Sequence, residues 1–151
     1  MERSVREAPP RMPAGTKIRL ALHTWSHFLR TVAQTRREPL PDVVAELETV
    51  ASGSTIHVDA KRLGRIVAQV LRIGPWRARC LFTSLVLFRL LREQGDRPVL
   101  VIGLPANATG TRAHAWIELH GTEVGPPPGS RGHLALARFG NDGRPPGKGP
   151  P

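Results

Sequence analysis

The sequence predicts an α+β fold, with N-terminal helices plus a central buried helix packed on a small antiparallel sheet. Three observations lead there. Residues 16–73 repeat apolar positions at spacings of three and four, the period of an amphipathic helix. Residues 81–91, "LFTSLVLFRLL", leave little room for a polar face, as expected of a helix buried nearly all round. After Gly95 the pattern changes to a β-branched run, "PVLVIGL", and then to alternation, both strand signals.

In chain order, residues 16–36 form a first helix with Ile18, Leu22, Trp25, Leu29 and Val32 on its apolar face. Pro39 and Pro41 then make a turn, because proline cannot donate to a helix and restricts the residue before it. Residues 42–51 form a short helix with Asp42 as its N-cap. The next helix starts at Asp59, carries Leu63, Ile66, Val67, Val70 and Leu71, and is stopped by Gly74 and Pro75. The central helix covers residues 79–94 and a buried strand residues 98–104. A second strand places His114, Trp116, Glu118 and His120 on one face and Ala113, Ala115, Ile117 and Leu119 on the other. His120 and Gly121 turn the chain into a third strand at 122–125. The segments 1–15 and 141–151, rich in Pro, Gly and charge, are expected to be disordered tails, flanking a helical extension (16–58) and a main unit (59–140).

With 151 residues the chain is expected to be one domain. Cys80 is the only cysteine, which rules out an internal disulfide, and no signal-peptide pattern opens the chain, so a cytoplasmic location is expected. No apolar run approaches the ~18 residues of a membrane span. Lys and Arg number 22 against 12 Asp and Glu, and this excess attracts acidic partners. The arginines are scattered, Tyr is absent and no Gly-aromatic signature of an RNA-binding sheet occurs, which argues against nucleic acid and leaves an acidic peptide or protein face.

Cys80 falls at the first turn of the central helix, where unpaired N–H groups and the helix dipole favour an anion, and Arg77 and Arg79 add positive potential. A nucleophilic thiol also needs a base in reach, and His114 opens a strand on the same face as Trp116. Cysteine at a helix start followed by histidine on a strand is the order used by papain-like and transglutaminase-like thiol enzymes. The alternative is plain packing: Cys80 as a small buried hydrophobe, His114 as a satisfied histidine under Trp116. The Cys80 N–H is the first candidate for an oxyanion donor. Trp76 either walls the cleft or, as the preferred reading, forms part of the core, and Ser84 is read as a small packing residue with no base of its own. His23, His27 and His57 lie in the helical half without cysteine or acid at ligand spacings, so neither a metal nor a cofactor is expected.

"RARCLFTSLVLFRLLREQGDRPVLVIGLP" and "AHAWIELHGTEVGPPPGSRGHLALARFG" resemble the transglutaminase-like leader peptidases of lasso-peptide biosynthesis, the B2 proteins, over roughly residues 59–140. The shared features are a Cys-Leu start to an apolar helix, a strand ending in Ile-Gly, and a His-Ala-Trp-hydrophobic-Glu strand. The resemblance implies a transglutaminase-like, papain-like core, with Cys80 as nucleophile and His114 as general base. It also implies a cysteine peptidase that removes the leader from a ribosomally made precursor peptide, alongside an ATP-dependent lasso cyclase. Residues 1–58 are too short and too helical for the family's appended leader-binding module, so a separate leader-recognition protein is expected.

One departure stands out. Thiol peptidases of this class usually orient the histidine with an acid from the next strand, and here that region reads "VGPPPG". The two-residue turn pairs Glu118 with Glu123, about 13 Å along the ladder from His114 and beyond hydrogen-bond reach. Asp96, Asp142, a backbone carbonyl or water remain as orienting groups. His133 lies in the segment resembling the family tail and is expected to pack across the sheet. A catalytically inert binding or scaffold module of the same fold is the alternative function, with a basic nucleic-acid-binding protein behind it.

Overall fold

The computed structural model describes residues 10–73, 80–107 and 112–140, as four helices followed by one antiparallel sheet. The helices are α1 (Ala14–Thr35), α2 (Leu40–Glu48), α3 (Ala60–Val70) and α4 (Cys80–Glu93); the strands are β1 (Val99–Pro105), β2 (His114–Leu119), β3 (Thr122–Gly125) and β4 (His133–Phe139). The sheet order is β3-β2-β1-β4, every pair antiparallel. The α+β expectation therefore holds, with one strand more than anticipated. β4 lies on the outer edge of β1, and its alternation is misleading because Leu134 and Leu136 point to solvent.

α4 is the centre of the molecule. Its residues Thr83 to Phe88, with Leu90 and Leu91, are buried, since it packs on α1, α2 and α3 as well as on the sheet. The main core joins Leu20, Phe28, Val43, Leu47, Leu63 and Val67 from the helices to Leu100, Ala115, Ile117 and Val124 from the sheet. Val99, Val101 and Trp116 form a smaller cluster on the opposite sheet face. α3 meets β3 at Gly64, where a Cβ would overlap the Val124 carbonyl oxygen. Asp59 caps α3 by accepting the Arg62 N–H at 3.1 Å, as its sequence predicts.

Three local expectations are corrected. α1 begins at Ala14 rather than 16, and residues 10–13 of the supposed 1–15 tail are placed: Met12 packs on the core, and the Pro10 carbonyl accepts from Arg62 at 3.2 Å. α1 also turns a different face inward. Ile18, Leu22 and Leu29 are exposed, while Leu20, Thr24, His27, Phe28 and Thr31 are buried. The buried threonine is tolerated because it satisfies itself, Thr24 donating to the Leu20 carbonyl at 2.7 Å. Pro39 and Pro41 open α2 instead of only turning the chain, because the first turn of a helix needs no N–H donors. The expected tail 141–151 lies outside the described residues. Among those described, no helix is long and apolar enough to cross a membrane.

Candidate active site

Cys80 is the first residue of α4, and its Sγ lies 3.9 Å from the carbonyl oxygen of Ala113, the residue immediately before His114. One turn further on, Ser84 donates its hydroxyl to the Ala115 carbonyl at 3.0 Å. Four helix residues and two strand residues advance by about 6 Å and about 6.6 Å. This match runs α4 alongside β2 and fixes the helix start at the strand start. Ser84, read as a packing residue, is therefore a register pin. Arg77, Arg79 and Trp76 lie outside the described residues.

His114 is 9% exposed, and its Nε2 is 3.3 Å from the Pro126 carbonyl oxygen. A carbonyl only accepts, so in this hydrogen bond Nε2 carries the proton and the neutral ring keeps its lone pair on Nδ1. The ring stacks on Trp116 with centroids 5.9 Å apart and lies 5.2 Å from the ring of His133. Burial pushes the His114 pKa below its usual 6.5; the Pro126 hydrogen bond and the Glu123 charge pull the other way without cancelling the shift. The imidazole is thus held neutral and in one tautomer, the state a general base requires. Among the described hydrogen bonds, Cys80 Sγ bonds to the Ala113 carbonyl and not to the imidazole.

The acids fall as the hairpin register predicts, with one amendment. His120 (φ 51°) and Gly121 (φ 74°) make the two-residue turn, and Glu118 faces Glu123. A bulge between Ile117 and Glu118 then shifts the ladder so that Ile117 meets Gly125 rather than Val124. Glu118 accepts from Trp116 Nε1 at 3.1 Å and from Arg138 at 2.7 Å. Glu123 accepts the Ser130 N–H at 3.1 Å and reaches His114 only through its charge. Asp96 follows the far end of α4, and Asp142 lies outside the described residues. The group on the imidazole is a backbone carbonyl, which leaves no trace in the sequence. Beside it a groove of about 420 Å³ is lined by Lys61, Arg65, Glu123 and the Pro126–Pro128 run.

At the opposite end of α4 the fold brings to the histidines an acid that no short sequence spacing shows. Glu93 comes within 2.8 Å of His23 Nε2 and 3.0 Å of His27 Nε2, although seventy residues separate it from His23. Burial raises the Glu93 pKa, but hydrogen bonds and charge from His27 and His23 outweigh it and hold the carboxyl at about 2. His57 is exposed and stands apart from this cluster.

Residues 19–137 match the family model described as "Transglutaminase-like superfamily". No curated protein and no solved structure matches the chain.

Proposed function

Because the chain belongs to the transglutaminase-like superfamily, we propose that it is a cysteine peptidase with Cys80 as nucleophile and His114 as general base. Its substrate in this reading is the leader of a ribosomally made lasso precursor peptide. A separate leader-recognition protein presents that precursor, and an ATP-dependent cyclase closes the ring afterwards. The chemistry is acyl transfer. His114 Nδ1 takes the thiol proton, sulfur adds to the scissile carbonyl, and the imidazolium returns the proton to the leaving amine. Water then hydrolyses the thioester with the same histidine as base, which regenerates the thiol and releases the acid.

The observation that carries the reading is the Pro126 carbonyl on His114 Nε2, which leaves Nδ1 as the basic nitrogen of a residue that directly follows the Ala113 carbonyl met by Cys80 Sγ. The Cys80 N–H, one of the unpaired donors of the first turn, is suited to the oxyanion. Lys61 and Arg65 on the groove next to Pro126 favour a peptide with acidic residues, in keeping with the formal net charge of +10. A second reading, an inert binding module of the same fold, draws on the thiol bonding to Ala113 rather than to the imidazole.

Two experiments separate them. Precursor incubated with this chain, with and without the leader-binding partner, should be cut at one site, and Cys80→Ala should leave it whole. Alkylation by iodoacetamide near neutral pH should outpace a model thiol and lose that advantage in His114→Ala. Equal rates together with uncut precursor would establish the inert module.

A further inference from the structure

The end of α4 remote from Cys80 carries side chains that the peptidase reading does not use. His23 and His27 are one turn apart on α1, so they share a face, and α4 packs against that face with Glu93. Four donor atoms gather here: His23 Nε2 to Glu93 Oε2 is 2.8 Å, His27 Nε2 to Glu93 Oε1 is 3.0 Å, the two Nε2 atoms are 3.0 Å apart, and one ligand atom from each residue lies within 4.8 Å of the others. His27 is buried and Glu93 half-buried, so two of the three are held away from water.

From this cluster we propose that His23, His27 and Glu93 bind a first-row divalent transition metal of the zinc class, clasping α1 to α4. Ligands about 2.1 Å from one ion lie about 3.0 Å apart when octahedral and adjacent, and about 3.4 Å apart when tetrahedral. The observed separations lie within about 0.2 Å of the octahedral spacing and would open by about 0.4–0.6 Å for the tetrahedral one. Two imidazoles and one carboxylate are a donor set that zinc and its neighbours in the row favour over calcium or magnesium. An ion also resolves a mismatch that protons leave. The Nε2–Nε2 contact is a hydrogen bond only if one nitrogen is bare, while each nitrogen also faces a carboxylate oxygen that only accepts. One cation takes a lone pair from each imidazole and from the carboxylate. Arg89 sits at the carboxylate with Nε 3.5 Å from Oε1, yet that Nε has no hydrogen bond among the described residues, so its hold is charge attraction alone. His23 and Glu93 also line a cavity of about 420 Å³ with Ser54, Thr55 and Gln94, which leaves room for water on the open coordination positions. The site is about 20 Å from Cys80 along the helix.

The test uses the full chain carrying Cys80→Ser, so that the thiol does not compete for metal. Zn(II) is titrated against a chromophoric chelator, and Co(II) is followed by its visible absorption. One equivalent per chain at micromolar or tighter affinity is expected. Loss of a direct ligand should exceed the 10–100-fold typical of outer-shell changes, so His23→Ala and Glu93→Gln should each weaken binding by about 100-fold or more. Zinc should raise the thermal midpoint of the parent and not of His23→Ala, whose half-exposed site tolerates the change even if His27→Ala fails to fold. Millimolar affinity in the parent, or binding unmoved by His23→Ala, overturns the proposal.

Discussion

The two ends of α4 hold the same kinds of residue to different effect. At the Cys80 end the side chains meet backbone: the thiol faces the Ala113 carbonyl, Ser84 the Ala115 carbonyl and His114 the Pro126 carbonyl. At the Glu93 end the side chains meet each other, two imidazoles on one carboxylate. Carbonyls are fixed dipoles that titrate at no ordinary pH, so they can set a tautomer and leave a ring basic. A carboxylate gathers cations and protons, and it keeps the imidazoles engaged. The first arrangement leaves Nδ1 of the ring without a proton; the second gathers both imidazoles on one carboxylate.

The largest effects should come from the first end. Cys80→Ala and His114→Ala should each lower leader cleavage on the order of a thousandfold or more. Circular dichroism should stay native, because Cys80 begins its helix and His114 its strand. If either variant cleaved within tenfold of the parent, the distinction between the two ends would collapse. Next comes the second end. Measured with chelator present, Glu93→Gln should lose about 1–3 kcal/mol in denaturant unfolding, since it weakens charge-assisted hydrogen bonds around the buried His27. Ser84→Ala should lose about 1 kcal/mol for its one buried hydrogen bond. It should also lower kcat, because α4 is then less firmly registered on β2.

A pH series sharpens the contrast. The folded-state pKa of His114 lies below its unfolded value of 6.5, so the unfolded chain binds the proton first as pH falls. Stability linked to this group is therefore complete above about pH 6.5 and declines as pH drops toward the lowered folded pKa. The difference in unfolding free energy between the parent and His114→Gln should shrink over that window, and an increase would mean that folding raises the His114 pKa instead of lowering it. Smallest of all should be Glu118→Gln. Its carboxylate holds Trp116 and Arg138 and makes no bond to the imidazole, so cleavage should stay within about tenfold. A loss matching His114→Ala in a folded protein would make Glu118 the orienting group instead of Pro126.

Legibility in the sequence followed how far apart the interacting groups are along the chain. Asp59 capping Arg62 and the His120–Gly121 turn were readable because each is local. α1 was legible as a helix but not as to which side faces in, because its exposed stripe of Ile18, Leu22 and Leu29 carries the more regular apolar signal. β4 was missed for the same reason in period two. Glu93 was invisible to a search for ligands at short spacing, being seventy residues from His23.

The sequence by itself determined the four helices and the first three strands, the α+β class, the burial of α4, and Cys80 and His114 at a helix start and a strand start. These depend on side-chain periodicity, on Gly and Pro, and on which residues can cap, all of which act over a few residues. Only the tertiary structure decided what those side chains touch: the Pro126 carbonyl on His114, the Ser84 register pin, and the meeting of α1 with the end of α4. Such contacts form when distant segments bury a common core. A backbone carbonyl is present at every residue, so nothing in the sequence marks the one that packing brings to the imidazole.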